Sequence, residues 1–322
     1  MKPALLIATK GWDVESWARR IRAVLPDHPI LCAERSGVYS GPEEALADVH
    51  YVLAWKPRQD VFDRLPNLRV LFSLGAGVDH IFGLERVPRV PIVRIVDRDL
   101  TARMTEYVTW QVLHHLRRSF DYAAHKTEHA WRDLPQPAAR HVTVGLMGLG
   151  VMGSDAAEVL VRLGFRVRGW SRSPKSLPGV EGFYGPDGLE TFLSGTDILV
   201  ALLPLTVETT GLIDRALLEK LRRDGPLGGP ILINAGRGGS QVEADIAAAL
   251  RDGTLKGASL DVFEAEPLPA ESPLWDVPNL VITPHVAAVS DPEALAAQVG
   301  EQILAFERGE GLRNRVDPER GY

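Results

Sequence analysis

The chain has 322 residues, 45% of them hydrophobic and 24% charged, with a net charge of −6: long enough for two domains with buried cores, and too acidic to suit a nucleic-acid partner. A single cysteine, Cys32, excludes an internal disulfide and points to a reducing compartment; the residue itself reads as a buried apolar filler. No stretch approaches the ~20 apolar residues that cross a bilayer, and the first apolar run, Ala4 to Ala8, is too short for a signal segment, so the chain reads as cytoplasmic with no membrane partner.

The opening alternates short apolar runs (Ala4 to Ala8, Val49 to Trp55, Arg69 to Leu74, Ile92 to Val96) with helical patterns such as Val14 to Leu25 and Gln59 to Leu65. That alternation predicts a small α/β unit with a parallel sheet. At its centre, Leu74-Gly-Ala-Gly-Val-Asp-His80 puts a glycine-bearing turn directly after a strand. Its N–H groups suit an anion such as a carboxylate, although a structural turn explains the pattern equally well. From Thr101 to Glu128 the apolar residues Met104, Tyr107, Val108, Val112, Leu116 and Phe120 have the spacing of one long amphipathic helix. His114, His115, His125 and His129 fall on it. The last two have metal-binding spacing but no carboxylate or cysteine partner in view, so they read as a solvated face and no metal is expected. Trp131-Arg-Asp-Leu-Pro-Gln-Pro137 then breaks the period as a loop, with Trp131 either a subunit contact or a cover over a helix end.

His141-Val-Thr-Val-Gly-Leu-Met-Gly-Leu-Gly-Val-Met-Gly153 is an apolar run broken by Gly148, Gly150 and Gly153, followed by a helical pattern through Leu163. It reads as a strand, a tight turn and a helix start on which a pyrophosphate can sit. The next strand, from Phe165, ends about 20 residues past the first glycine, where an NAD-binding chain carries an acid for the ribose diol. Ser171, Arg172, Ser173 and Lys175 stand there instead. Hydroxyls and positive charge suit a 2′-phosphate, which predicts NADP(H) as the preferred cofactor with NAD(H) second; a solvated basic loop is the plain alternative.

Strand candidates continue at Asp197 to Leu202, Pro230 to Ala235, Ala258 to Phe263 and Asn279 to Thr283, predicting a doubly wound sheet. Ser240-Gln-Val-Glu243 has a capping-box pattern ahead of a helix that ends near Gly253, and Ser290-Asp-Pro-Glu293 has the same pattern ahead of the last helix. Ligands in such sheets bind beyond the carboxyl ends of the strands. Three residues stand there: Arg237, Glu266 and His285. Each alone has a dull explanation, as a surface charge, a solvated acid or a core histidine. Together they suit hydride transfer to a 2-keto acid. Arginine forks onto the carboxylate and polarises the carbonyl, histidine supplies a proton near neutral pH, and a neighbouring carboxylate stabilises its imidazolium.

On these residues the chain resembles the D-isomer-specific 2-hydroxyacid dehydrogenase family, most closely its glyoxylate/hydroxypyruvate reductase A branch, over essentially its whole length. The matching stretches are Leu74 to Asp79, Gly148 to Gly153, Leu202-Leu-Pro-Leu-Thr206 with Glu208-Thr209, Asn234-Ala-Gly-Arg-Gly238, Leu260-Asp-Val-Phe-Glu-Ala-Glu-Pro267 and Thr283-Pro-His285. The resemblance implies that Arg237 binds substrate, that Glu266 rather than Glu264 supports the histidine, and that His285 is the acid/base. It implies backbone N–H groups of Ala76 and Gly77 on the substrate carboxylate, with Trp55 beside the substrate. Around the cofactor it implies Gly148, Leu149, Gly150, Val151, Met152, Gly153, Leu203, Pro204 and Ala235, with Asp261 on the nicotinamide amide.

The implied fold is α/β, with two Rossmann-like domains. A smaller flavodoxin-like substrate domain spans 1–97 and 289–322, and a doubly wound dinucleotide domain with a dimerisation helix and arm spans 98–288. A homodimer and NADPH-dependent reduction of glyoxylate or hydroxypyruvate follow from the same resemblance. The alternatives are a reductase of larger, phenylpyruvate-like or branched 2-keto acids, and a nucleotide-sensing corepressor. Formate and phosphite enzymes are further relatives; formate enzymes of the family carry glutamine at the position of Glu266.

Overall fold

The computed structural model describes residues 2–322 and divides into two compact units, Thr101–Val289 in one and the chain up to Leu100 together with Ser290–Tyr322 in the other. The first part of the chain runs β1 (Ala4–Thr9), α1 (Val14–Val24), β2 (Ile30–Cys32), β3 (Val49–Trp55), α2 (Gln59–Phe62), β4 (Val70–Ser73), α3 (Asp79–Phe82) and β5 (Ile92–Val93). Its sheet is parallel throughout, in the order β2-β1-β3-β4-β5, the flavodoxin-like arrangement. Every residue of β1 is buried, as the continuous apolar run of a strand covered on both faces requires. Helix α1 begins where the Asp13 carboxylate accepts the amide of Ser16, and buries Trp17, Ala18 and Ile21.

The chain continues through α4 (Arg98–Leu116), α5 (Ser119–Thr127), β6 (Thr143–Met147), α6 (Val151–Arg162), β7 (Arg166–Ser171), β8 (Val180–Tyr184), α7 (Gly185–Ser194) and β9 (Ile198–Ala201). After these come α8 (Arg215–Glu219), β10 (Ile231–Asn234), α9 (Glu243–Arg251), β11 (Gly257–Leu260), β12 (Leu280–Ile282) and α10 (Pro292–Glu307), the last returning to the first unit. The sheet of the second unit is parallel, ordered β12-β11-β10-β9-β6-β7-β8, so strand order reverses between β6 and β9, the switch point of a doubly wound fold. Alternation along β6 splits the core in two. Val144 and Leu146 pack with Met104, Val108 and Val112 of α4 on one face; Met147 packs with Phe192, Leu217 and Ile246 on the other.

Several local expectations are corrected. The predicted single helix from Thr101 to Glu128 is two, broken at Arg118, which takes a left-handed backbone with φ 56°. His125 is therefore on α5 and His129 lies past its end, itself at φ 53°, so the two do not share a helix face with His114 and His115. Cys32 is half-buried at the end of an edge strand, not in the core. Trp131 is 98% exposed and so covers no helix end. Ser240 makes no capping box: it lies in a short 3-10 turn, and its hydroxyl donates to the Arg237 carbonyl at 2.6 Å. The last helix is capped by Asp291 rather than Ser290, with Pro292 in its first turn. No described helix is long and apolar enough to cross a membrane.

Candidate active site

Each candidate residue follows the carboxyl end of a strand or forms that end. After β6 the chain turns at Gly148, with φ 106°, and α6 starts behind Gly150. A Cβ at Gly153 would lie 1.9 Å from the Gly148 carbonyl oxygen, so only glycine lets helix and turn meet there. A Cβ at Gly150 would meet nothing within 4 Å. The helix has no side-chain cap and no acid in its first turn, so its N-terminus faces open space with the polarity that favours an anion. The Lys175 ammonium donates to the Leu149 carbonyl and brings positive charge onto the turn.

The Ser171 hydroxyl is buried and donates to the Ser173 carbonyl at 2.8 Å, so it shapes the loop while Arg172 and Ser173 lie on its exposed side. Glu208 is held below its ordinary carboxyl value, first by a hydrogen bond from Thr206 and last by the charge of Arg172, which places Arg172 within electrostatic reach of the 203–209 loop. That loop is shaped by Thr209, whose hydroxyl accepts from the Thr206 amide at 2.8 Å and donates to the Pro204 carbonyl at 2.7 Å.

The turn carrying Arg237 is packed instead of open. A Cβ at Gly238 would lie 2.0 Å from both the carbonyl carbon and oxygen of Phe263. Beneath it, buried Asn234 accepts the Gly236 amide at 3.0 Å and donates to the Gln241 side chain at 2.8 Å. Gln241 in turn donates to the Val262 carbonyl at 2.9 Å. The arginine turn is thereby tied to the segment that leads to Glu266.

His285 Nδ1 lies 2.8 Å from Oε2 and 3.0 Å from Oε1 of Glu266, both side chains being partly exposed. Glu266 also accepts the Phe263 amide at 3.2 Å. Glu264, its neighbour, exchanges backbone-to-carboxylate hydrogen bonds with Glu243 at 3.1 and 2.7 Å and so fastens the loop to α9. Asp261 is buried, which pushes its carboxyl up, while Thr283 and the amides of Ala287 and Val286 draw it back down.

Trp55, Ala76 and Gly77 belong to the other unit. Trp55 ends β3; its ring lies 5.3 Å from that of Trp12 and 4.8 Å from that of His80. A Cβ at Gly75 would come within 2.4 Å of the Trp55 indole, so the glycine makes room for that ring. Ala76 and Gly77, half-buried, form the turn between β4 and α3. The structure thus brings Glu266, His285 and Asp261 together and ties Arg237 to them through Gln241. Asn234, Gln241, Thr283 and Tyr107 were not singled out from sequence as site residues. The signal for the first three was a polar residue in or next to a strand-end turn.

Residues 109–287 match the family described as D-isomer specific 2-hydroxyacid dehydrogenase, NAD binding domain. The chain is 41% identical to glyoxylate/hydroxypyruvate reductase A of Escherichia fergusonii, over 97% of each chain. A solved structure of a probable 2-hydroxyacid dehydrogenase from Rhizobium etli, in complex with NADP, HEPES and L(+)-tartaric acid, is 49% identical, covers both chains fully and has a TM-score of 0.93. That of an NADPH-dependent glyoxylate/hydroxypyruvate reductase from Sinorhizobium meliloti, in complex with NADP and sulfate, is 48% identical with the same coverage and a TM-score of 0.91.

Proposed function

Because the chain belongs to the D-isomer-specific 2-hydroxyacid dehydrogenase family, we propose that it reduces a small 2-keto acid, glyoxylate or hydroxypyruvate, to the 2-hydroxy acid with NADPH. The observation that carries this reading is the 2.8 Å contact between His285 and Glu266, in the unit that also holds the arginine turn and an open glycine turn. The names of relatives support the substrate, and the cofactors bound in structural neighbours support NADP(H).

The residues present fit a dinucleotide. Gly150 leaves space at a helix N-terminus, and beyond β7 the chain offers Arg172, Ser173 and Lys175 with no acid to repel a 2′-phosphate. The nicotinamide, when bound, supplies the hydride. When bound, the pyrophosphate would sit on Gly148 to Gly153, Leu203, Pro204 and Ala235 would line the cofactor, and Asp261 would serve the carboxamide. Arg237 forks onto the substrate carboxylate and polarises the carbonyl. His285 donates its Nε2 proton to the carbonyl oxygen as that oxygen becomes a hydroxyl; in the reverse direction the same nitrogen accepts it. Glu266 accepts the Nδ1 hydrogen, so it fixes the ring and stabilises the imidazolium. Ala76, Gly77 and Trp55 serve the substrate carboxylate and its side. A homodimer forms through α4, α5 and the arm bearing Trp131, a reading supported by the exposure of Trp131 and Trp110, and the cytoplasm is the compartment that suits the lone Cys32.

The test is NADPH and NADH consumption with glyoxylate, hydroxypyruvate, pyruvate and phenylpyruvate, in the wild type and in Arg172→Ala. NADPH-dependent turnover of one of the two small acids is expected, with the substitution raising KM for NADPH about tenfold and leaving that for NADH unchanged. Equal or better use of NADH contradicts the cofactor assignment. Preference for phenylpyruvate moves the substrate to larger acids, and no turnover with any keto acid favours a sensing role.

A further inference from the structure

We infer that Tyr107 and Thr283, acting through Asp261, are positioning residues that fix the backbone of His285 for proton transfer. The inference rests on His285 as the proton donor. Thr283 Oγ1 donates to Asp261 Oδ1 at 2.7 Å, which uses its only hydrogen. In the 2.8 Å contact between Thr283 Oγ1 and Tyr107 Oη the tyrosine is therefore the donor. The chain of hydrogen bonds has one direction, from the phenol on α4 through the threonine to the carboxylate.

Asp261 then holds both sides of the histidine. Its main-chain carbonyl accepts the amide of His285 at 2.8 Å. Its carboxylate accepts the amides of Val286 and Ala287, each at 2.9 Å. His285 needs this fastening, because its φ of 55° lies in the left-handed region that a residue with a Cβ avoids. Released, the segment relaxes toward ordinary backbone angles and the imidazole swings off its line, although Glu266 remains beside it. Tyr107 and Asp261 are buried and Thr283 is half-buried, so the phenol and carboxylate flanking a missing threonine hydroxyl have little access to water. Removing the Thr283 hydroxyl leaves the Asp261 carboxylate chemically intact, so any role of Asp261 toward the cofactor survives and the two effects separate.

The experiment compares Thr283→Val, Thr283→Ser and Tyr107→Phe with wild type and His285→Gln, in the full chain with NADPH and glyoxylate. Thr283→Val is expected to lower kcat about 10- to 100-fold while KM for NADPH stays within about twofold, because a misplaced proton donor slows the chemical step and leaves cofactor binding alone. Thr283→Ser restores kcat to within about threefold, and Tyr107→Phe lowers it severalfold in the same pattern. Wild-type kcat in Thr283→Val, a loss seen only in KM for NADPH, or a serine variant as slow as the valine one overturns the inference. Should the valine variant fail to fold, Tyr107→Phe decides by the same split between kcat and KM. If His285→Gln is inactive while Thr283→Val matches wild type, the inference alone falls. If His285→Gln itself turns over normally, the acid/base reading falls and takes the inference with it.

Discussion

The two glycine-bearing turns of the second unit are made for opposite occupants. After β6, Gly150 faces open space at the start of a helix with no capping side chain; after β10, Gly238 is closed onto the backbone of Phe263, and Asn234, Gln241 and Ser240 bind the surrounding main chain. The first turn leaves its N–H groups without a capping side chain. The second gives its polarity to the protein, and so fixes the turn that carries Arg237. Both turns use glycine where the chain meets itself, at Gly153 against Gly148 and at Gly238 against Phe263, but only the first also leaves open space, at Gly150.

Gly238→Ala gives the largest expected effect. Its Cβ would lie 2.0 Å from the Phe263 carbonyl, so backbone must move, with a loss of about 1–3 kcal/mol in stability and about 100-fold in kcat as Arg237 shifts. Thermal melting and steady-state kinetics check it; an unchanged melting temperature contradicts the packed turn. Gly150→Ala is expected to cost less than about 1 kcal/mol in stability while raising KM for NADPH about tenfold, since its Cβ enters the space left for the cofactor. A fall in melting temperature as large as that of Gly238→Ala would erase the contrast between the turns.

The smallest effect on turnover is expected at His115, a buried polar side chain outside the candidate site. His115 is buried, donates to Ser259 at 2.9 Å, and is pushed down to about 3, by burial first and then by the charge of His114. Between the ordinary histidine value of 6.5 and about 3 the unfolded chain binds a proton that the folded one does not. Stability therefore falls as pH drops through that window, by up to about 1.4 kcal/mol per pH unit. His115→Gln is expected to flatten this slope in melts at pH 3.5 to 6.5 without altering kcat at neutral pH. An unchanged slope would mean that another group governs it.

Legibility in the sequence followed the range of the interactions. The strand-turn-helix at Gly148 to Gly153 and the strand ends bearing Arg237 and His285 were readable because each is written in adjacent residues. The contact of Glu266 with His285 was expected on chemical grounds and is present. The break at Arg118 was hidden because the apolar period runs on to Phe120 and the residue that turns left-handed is not a glycine. The capping box at Ser240 failed because Glu243 is held by Glu264, a partner outside the local pattern. Tyr107 read as one more apolar residue of a helix face; its phenol binds Thr283, far along the chain. Edge strands β2 and β8 were missed because they are short or mostly exposed and carry no continuous apolar run.

The most direct measurement is single-turnover hydride transfer from NADPH to glyoxylate in His285→Gln, with NADPH binding followed by fluorescence. With His285 as proton donor, the rate falls about 10²- to 10⁴-fold while the NADPH dissociation constant stays within about twofold. A rate within about threefold of wild type, with NADPH bound equally well, would contradict it.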